Sequence, residues 1–188
     1  RRHLAAAAAR LEAQGGTDSE LLTTTMTVGF ADLSRFTSLS NRLDDNELGS
    51  LVEGFENRVT DRVTAAEGRV IKTLGDAVLF IHADPEQAAR VSLDVINVIA
   101  ADDSMPSVLI GLATGSVISR LGDVFGPPVN MAARLSQVPR SPRLLTDQET
   151  ANALGDEFDK RIVPPRMVRV FCFYIPVNVS VHRGFRHR

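Results

Sequence analysis

The sequence is poor in cysteine, tryptophan and tyrosine. Its 188 residues include one cysteine, one tyrosine and no tryptophan. A lone cysteine, Cys172, cannot form an internal disulfide, which is typical of proteins in a reducing cell interior. RNA-binding sheets expose stacking aromatic residues on a basic surface. The scarcity of tyrosine and tryptophan and the formal net charge of −2 therefore argue against an RNA-binding domain.

Long apolar runs are also missing. No stretch approaches the ~18–20 apolar residues of a membrane-spanning helix, and no signal peptide is visible. The small net charge predicts no general attraction to nucleic acid or to an anionic membrane surface. We therefore expect a cytoplasmic domain without direct membrane insertion. Because the chain begins with Arg1 rather than methionine, we also expect it to come from a longer protein with room for an N-terminal regulatory domain.

What is present is the composition of an ordinary globular domain, with 44% hydrophobic and 23% charged residues. A chain of this length is expected to form one domain around a hydrophobic core. We predict an alanine-rich helix and linker at residues 1–20, a folded domain at residues 21–183 and a short tail at residues 184–188.

Hydrophobic periodicity predicts the order of the secondary-structure elements. β-Branched residues predict a first strand at 21–33, and apolar residues at helical spacing predict a helix at 44–68. The elements predicted to follow are a hairpin of two buried strands at 68–80, a helix at 84–101, a strand at 107–119, a turn at 122–126, a helix at 127–138 and one or two strands at 161–181. The order βαββαβ predicts an α+β fold with a ferredoxin-like core, helices on one face of its sheet, and C-terminal additions.

Two aspartates lie at the ends of strands that are expected to pair. Asp32 ends the first strand, and Asp76 lies in the turn of the hairpin. Pairing of these strands would bring both carboxylates to one edge of the sheet, where they repel each other unless a cation neutralises them. Hard divalent cations such as Mg²⁺ bind such oxygen ligands and usually substrate phosphates as well. Singly, each aspartate fits better as a turn-capping or solvated residue; the pair favours a metal site.

The turn from Leu33 to Thr37 follows Asp32 and leads into a helix. Free backbone N–H groups in such a turn favour an anion, for example a triphosphate, and Ser34 and Thr37 add hydroxyl donors. This signal is weak by itself, because many turns between strands and helices carry small polar residues. The chain has neither a G-x-x-x-x-G-K-[ST] phosphate loop nor a G-x-G-x-x-G motif.

Asn130 and Arg134 are four residues apart on a predicted helix and therefore share a face. Together they can bind a sugar oxygen and a phosphate, since arginine presents a planar fork of donors. The polar face of an ordinary surface helix would have the same pattern. Asp123, which follows a glycine in the preceding segment, would by itself be interpreted as a turn former.

Three motifs together resemble the catalytic domain of class III nucleotidyl cyclases. They are FADLSRFT at 30–37, IKTLGDAV at 71–78 and GDVFGPPVNMAARL at 122–135. The short link between GSVIS and GDVFG resembles the bacterial, particularly the mycobacterial, branch. The resemblance covers roughly residues 25–180. It implies that residues 21–183 form a catalytic domain that assembles head to tail into a homodimer with two composite active sites.

The resemblance implies a role for each motif residue. In one subunit, Asp32 and Asp76 would hold two divalent metal ions, Mg²⁺ or Mn²⁺, with the backbone carbonyl of Leu33 as a further ligand. A second group would bind the phosphates, and it consists of Leu33, Ser34, Arg35, Phe36, Thr37 and Arg169. The other subunit would contribute a third group: Lys72 and Asp123 for the base, Asn130 for the ribose and Arg134 for the transition state.

The predicted base-binding pair favours adenine. Lysine only donates hydrogen bonds and an ionised aspartate only accepts them, so Lys72 matches the N1 acceptor of adenine and Asp123 matches its N6 amino group. Guanine-reading members of the family have glutamate in place of the lysine and a small residue in place of the aspartate. The sequence thus predicts an adenylyl cyclase that makes cyclic AMP and pyrophosphate from ATP, with guanylyl cyclase as the alternative.

Two positions depart from the family pattern and leave a further alternative open. Several relatives have arginine where this chain has Ser116, and a glycine often follows the basic residue where this chain has Val170 after Arg169. These departures favour weaker binding of the triphosphate, so a catalytically weak or silent nucleotide-binding module remains an alternative. A diguanylate cyclase is disfavoured, because LGDAV at 74–78 replaces the G-G-D/E-E-F hairpin of that class.

Overall fold

The computed structural model describes residues 23–34, 36–138, 144–162 and 177–181. The strands in these ranges are β1 (Thr23–Leu33), β2 (Arg69–Thr73), β3 (Ala77–His82), β4 (Val108–Arg120), β5 (Asp123–Phe125), β6 (Leu144–Thr146), β7 (Phe158–Ile162) and β8 (Val177–Val181). The helices are α1 (Phe36–Ser40), α2 (Asp45–Ala65), α3 (Pro85–Ala100), α4 (Pro127–Ser136) and α5 (Gln148–Ala153).

The strands form one sheet in the order β2-β3-β1-β4-β6-β8-β7, and β5 pairs with the end of β4. The four strands β2, β3, β1 and β4 pair antiparallel, while β6 runs parallel to β4. This arrangement confirms the predicted ferredoxin-like βαββαβ core, in which the first strand lies between the third and the fourth. The remaining strands extend the sheet on the β4 side and are the C-terminal additions.

Helices α2 and α3 begin at aspartate caps and cover one face of the sheet. The Asp44 side chain accepts a hydrogen bond from the Glu47 amide, and the Glu47 side chain accepts one from the Asp44 amide, so α2 starts with a capping box. Asp84 caps α3, whose first residue is Pro85. The apolar stripe of α2, represented by Phe55 and Val59, is buried in the main core against strand residues such as Phe80.

Helix α4 packs on the opposite face, so the two faces of the sheet are both covered. Alternate residues of β3 divide between them: Phe80 belongs to the core under α2 and α3, whereas Leu79 packs with Ala132 of α4. The two helices of the βαββαβ core, α2 and α3, lie on one face as predicted, and α4, which follows that core, covers the other face. The apolar residues of α4 point into a second core that the βαββαβ pattern alone does not require.

Two local predictions were wrong, and some short elements were missed. Only β3 of the hairpin is buried throughout; β2 is the edge strand and is partly to fully exposed, because no further strand pairs with it in the described sheet. The segment predicted as a turn at 122–126 contains strand β5, which pairs with β4. The elements β6 and α5 were not predicted at all.

Within the described residues, no helix is long and apolar enough to cross a membrane. Cys172 and most of the segment at 161–181 lie outside the described residues. The structure describes residues 161–162, at the end of β7, and strand β8.

Candidate active site

The two predicted metal-binding aspartates are brought together by strand pairing. Asp32, in β1, lies opposite Ala77 in β3, and the Leu33 amide donates to the Asp76 carbonyl at 3.0 Å. Asp32 is partly buried, and this burial together with the nearby Asp76 carboxylate raises its pKa from 3.8 to about 6. A pair of mutually repelling carboxylates is therefore held at the end of the central strand.

A tight turn connects β2 to β3 and fixes the position of Asp76. The Leu74 amide donates to the Ala77 carbonyl at 2.7 Å, and Gly75 has a φ of 69°. Glycine adopts this left-handed conformation without the steric cost that a side chain would bring. The turn thus places Asp76 beside the end of β1.

A cleft of about 1070 Å³ opens beside Asp32. Its described lining includes Ser38 of α1, residues 103–107 of the loop before β4, and Gln137 after α4. Arg42 is the one cation among the described lining residues. The cleft therefore combines two carboxylates, Asp32 and Asp103, with one guanidinium. Carboxylates are ligands for hard divalent cations and a guanidinium binds phosphate, so this lining is compatible with a metal-bound polyphosphate.

The composition of the site fits a divalent cation only when further oxygen ligands complete it. Within the described residues, no group of three or more His, Cys, Asp and Glu side chains is placed to hold a metal ion. Asp32 and Asp76 supply two carboxylates whose repulsion a cation would relieve. Hard cations accept backbone carbonyls, water and substrate phosphates as their remaining ligands, so the donor set is consistent with a metal that binds together with substrate.

The turn after Asp32 has fewer free amide groups than the sequence suggested. The Leu33 amide bonds to Asp76, and the Ser34 amide donates to the Ser107 carbonyl at 2.8 Å. Phe36 and Thr37 begin α1, and amides in the first turn of a helix have no acceptor within that helix. The predicted phosphate ligands Arg35 and Arg169 lie outside the described residues, as does Val170.

The predicted base-binding pair is in contact within a single chain. Lys72 Nζ, on edge strand β2, lies 2.6 Å from Asp123 Oδ2 on β5. The hydrogen bond from Lys72, followed by one from the Val124 amide to Asp123 Oδ1, lowers the pKa of the Asp123 carboxyl. The pair stays partly exposed, with 41% of the lysine and 31% of the aspartate side chain accessible. Neither residue lines the cleft at Asp32.

Asn130 and Arg134 lie one turn apart on α4. Asn130 is exposed and Arg134 is partly exposed. Within the described residues neither side chain has a hydrogen-bonding or ionic partner, and neither lines the cleft at Asp32. The structure brings Asp32 and Asp76 together, and these two residues are called the carboxylate half-site below. It also brings Lys72 and Asp123 together. These two residues with Asn130 and Arg134, whose joint use in one site stays a prediction, are called the base half-site.

Gly111 sets the position of α4 on the sheet. A Cβ atom at this residue of β4 would lie 2.2 Å from the Ala132 carbonyl oxygen and 2.7 Å from Leu135 Cβ. The helix that carries Asn130 and Arg134 therefore lies directly on the glycine backbone, an approach that only glycine permits.

Sequence reasoning missed several residues around the cleft. Arg42 lies in an exposed turn after α1, and nothing in its sequence neighbourhood distinguishes it from other surface arginines. For the loop at 103–107 the sequence analysis made no prediction. Away from the cleft, His82 was assigned no role from the sequence. Its Nδ1 accepts from the Asp84 amide at 2.9 Å, and its Nε2 lies 2.8 Å from the Ala66 carbonyl, so it connects the end of α2 to the start of α3.

Ser116, which departs from the family pattern, lies opposite Thr25 on β1. Thr25 precedes Asp32 by seven residues, which is roughly 23 Å along a strand. Ser116 therefore does not shape the Asp32 cleft in the described chain.

Comparison with known proteins places these features in one family. Residues 21–169 match the family model described as the adenylate and guanylate cyclase catalytic domain. Among curated proteins, an adenylate cyclase of Streptomyces coelicolor is 44% identical over 154 residues, which is 82% of this chain and 40% of that protein. A protein of Mycobacterium tuberculosis named pH-sensitive adenylate cyclase is 38% identical over 131 residues, 70% of this chain and 33% of its own length. The chain thus spans less than half of these curated relatives.

A solved structure supports the fold independently. The catalytic core of a rhodopsin-guanylyl cyclase with converted specificity, in complex with ATPαS, superposes with a TM-score of 0.75 at 21% identity. The match covers 85% of this chain and 98% of that one. At this level of identity the likeness concerns the fold.

Proposed function

This chain belongs to the family of adenylate and guanylate cyclase catalytic domains, and we propose that it converts ATP into 3′,5′-cyclic AMP and pyrophosphate. The observation that carries the proposal is the 2.6 Å contact between Lys72 and Asp123, which presents a donor and an acceptor side by side at the surface. The adenylate cyclase names of the curated relatives support the same choice. The catalytic unit would be residues 21–183.

Base selection follows from hydrogen-bonding capacity. Lys72 has three N–H donors and uses one on Asp123, so it can also donate to adenine N1. Asp123 accepts from Lys72 and Val124 and retains lone pairs for the N6 amino group. Guanine presents an acceptor at O6 and donors at N1 and N2, which mismatch this order of donor and acceptor. With guanine bound, polar groups of the site would be left without hydrogen-bonding partners. The free-energy cost of these unpaired groups would disfavour GTP relative to ATP.

Asp32 and Asp76 would hold divalent metal, Mg²⁺ or Mn²⁺, with the Leu33 carbonyl as a further ligand. When bound, such ions supply Lewis-acid activation of the ribose 3′-hydroxyl and neutralise the triphosphate. Family membership implies divalent metal dependence in general. In this chain burial and the nearby Asp76 carboxylate raise the pKa of Asp32 to about 6. The repulsion by Asp76 supports the metal-binding role, because a bound cation would relieve it.

The phosphates would lie in the turn from Leu33 to Thr37, with Arg42 in the same cleft and Arg169 from the C-terminal region. Arg42 would offer a charge-assisted contact to the triphosphate, because it is the cation that the described cleft contains.

The two half-sites support a composite active site. Within the described chain, Lys72, Asp123, Asn130 and Arg134 do not line the cleft beside Asp32. A second copy of the chain, arranged head to tail, would bring its base half-site to the carboxylate half-site of the first. Arg134 would then meet the negative charge that develops on the α-phosphate, and Asn130 would orient the ribose.

The test is to incubate the purified chain with ATP and, separately, with GTP, each with Mg²⁺ and with Mn²⁺, and to measure cyclic nucleotides. We expect cyclic AMP from ATP, and its loss in Asp76→Ala. Cyclic GMP as the main product would overturn the choice of substrate. No product from a confirmed dimer would overturn the activity and favour a silent nucleotide-binding module.

A further inference from the structure

The loop between α3 and β4, residues 102–107, is bonded to α2 through Arg58 and Asp102. These two residues are called the clamp below. Arg58 donates through Nη2 to Asp102 Oδ2 at 2.6 Å and through Nη1 to the Gly54 carbonyl at 2.9 Å. Asp102 Oδ1 in turn accepts from the amide and the hydroxyl of Ser104, at 3.0 and 2.5 Å. The guanidinium thus joins the middle of a long helix to the first residues of a loop that lines the cleft.

The same loop holds the phosphate turn at its other end. The Ser107 carbonyl accepts the amide of Ser34, two residues after Asp32, at 2.8 Å. Only Met105 and Pro106 separate Ser104 from Ser107, and the proline ring restricts the backbone around it. A displacement of the loop at Asp102 would therefore be transmitted to Ser34 over a short, stiff connection.

We infer that Arg58 and Asp102 are positioning residues for the phosphate-binding turn. The clamp fixes the 102–107 loop, the loop fixes the Ser34 amide through Ser107, and Ser34 is thereby held at the mouth of the cleft beside Asp32. This inference rests on the proposed function only for its kinetic consequence. The structural coupling between Asp102 and Ser34 exists whatever the substrate.

Gly54 supplies independent support. A Cβ at this position would lie 2.9 Å from Arg58 Nη1 and 3.0 Å from Met105 Cε. The arginine side chain is therefore folded back over a helix position that lacks a side chain, and this brings its fork within reach of the loop. An unconstrained surface arginine would extend into solvent instead.

A second ion pair of α2 provides the matched control. Arg62, one turn further along, pairs with Asp94 of α3 at 2.9 Å, and these side chains are 43% and 55% exposed against 32% and 31% for Arg58 and Asp102. The Arg62 pair connects α2 to α3, and within the described residues it forms no hydrogen bond or ion pair with the 102–107 loop. Arg62→Ala removes the same kind of side chain from the same helix.

The experiment measures two quantities in Arg58→Ala, Asp102→Ala, Arg58→Lys and Arg62→Ala. The first is hydrogen exchange of the Ser34 amide, followed by NMR, which requires no activity. The second is KM for ATP and kcat for cyclic AMP formation. In both alanine variants of the clamp we expect roughly fivefold to tenfold faster exchange at Ser34 and a similar rise in KM, with kcat changed less than about twofold. Arg58→Lys, which keeps the charge but loses the fork, should lie between Arg58→Ala and the parent.

Arg62→Ala should leave both quantities at parental values. Unchanged exchange at Ser34 in the clamp variants, or an equal change in Arg62→Ala, would overturn the inference. If the parent makes no cyclic AMP, the proposed function fails while the exchange measurement still decides the coupling. If Arg58→Ala does not fold, Arg58→Lys and Asp102→Ala provide the same comparison.

Discussion

Lys72 Nζ lies 2.6 Å from Asp123 Oδ2, although 51 positions separate the two residues in the chain. The contact joins the edge strand β2 to the short strand β5 and leaves both side chains accessible. A donor-only group and an acceptor-only group are thus already aligned before any nucleotide binds. Preorganisation of this kind reduces the cost of ordering side chains during recognition.

Exchanging this pair should change the base preference. In Lys72→Glu with Asp123→Ser, a carboxylate replaces the donor and a small hydroxyl replaces the acceptor, so adenine loses both contacts and guanine gains an acceptor for its N1 and N2 donors. We expect kcat/KM for ATP to fall at least about tenfold and the ATP-to-GTP ratio of kcat/KM to shift by roughly 100-fold. Steady-state assays with both nucleotides would measure the change.

The control for this exchange is another exposed ion pair. Arg161 lies 3.0 Å from Asp159 on β7, and the same pair of changes there, Arg161→Glu with Asp159→Ser, alters the charge equally. An unaltered ATP-to-GTP ratio in the Lys72 and Asp123 variant, or an equal shift in the control, would contradict the base-reading role.

Asp32→Asn should stabilise the metal-free protein at neutral pH. The pKa of Asp32 is raised to about 6 by burial and by Asp76, so the folded state retains this proton more strongly than the unfolded state does. The contribution of protonated Asp32 to stability is full below about pH 4 and is lost as pH rises through about 6. In EDTA at pH 7.5 we expect the variant to gain about 1–2 kcal/mol, a value reduced because solvent reaches part of the carboxyl and screens the repulsion.

Urea unfolding at pH 7.5 and at pH 4 would measure this gain, which should disappear at the lower pH. Asp61→Asn, on the exposed side of α2, controls for the loss of one negative charge. Added Mg²⁺ or Mn²⁺ should stabilise the parent more than the variant, because binding to the folded state adds to its stability. Equal stabilisation of both proteins by metal would argue against Asp32 as a ligand.

Two inactive variants should complement each other if the active site is composite. Asp76→Ala damages the carboxylate half-site and Arg134→Ala damages the base half-site. In a mixed dimer, one active site carries both changes and the other carries neither. Random exchange of subunits should restore roughly a quarter of the parental activity, because half the dimers are mixed and each has one intact site of two.

The measurement is the rate of cyclic AMP formation after the two proteins are incubated together. Mixing Asp76→Ala with Asp32→Ala provides the control, because both changes affect the same half-site and every site in a mixed dimer is damaged. The head-to-tail arrangement would be excluded if cyclic AMP formation recovered in the control mixture. It would also be excluded if no activity returned in the test mixture although subunit exchange was confirmed.

Gly111→Ala should inactivate the protein by displacing α4. The added Cβ would lie 2.2 Å from a backbone oxygen of that helix, so the helix that carries Asn130 and Arg134 must move. We expect a loss of about 2–3 kcal/mol in the free energy of unfolding and a fall in kcat at permissive temperature. Gly49→Ala, where nothing lies within 4 Å, is the control and should stabilise α2 by up to about 1 kcal/mol. A fully active Gly111→Ala protein would show that α4 tolerates the shift.

The sequence predicted the ferredoxin-like core because its elements are long and strongly periodic. It also predicted the proximity of Asp32 and Asp76, which follows from the pairing of β1 with β3. Strand β5 was missed because three residues form a strand only through pairing with β4, and a glycine on each side indicates a turn locally. The exposure of β2 was missed because an edge strand can have the same apolar residues as a buried one.

The contacts around the cleft depend on distances that no local pattern encodes. Arg42 enters the site because α1 is short and the chain turns back at Ser40, and Arg58 reaches the 102–107 loop because Gly54 leaves room for it. Gly111 has the same sequence context as any glycine in a strand, and its importance appears only when α4 is placed on the sheet. The roles of Arg35 and Arg169 stay predictions, since both lie outside the described residues.

The hairpin from β2 to β3 carries Lys72 on its first strand and Asp76 in its turn, next to Gly75. In the proposed dimer, these two residues serve different active sites. Each hairpin would then contribute Lys72 to one active site and Asp76 to the other. Nucleotide bound at one site would thereby affect the position of a metal ligand in the other. The rate of cyclic AMP formation should accordingly deviate from a simple hyperbola as the ATP concentration rises. A dimer in which one hairpin is made flexible should be impaired at both active sites.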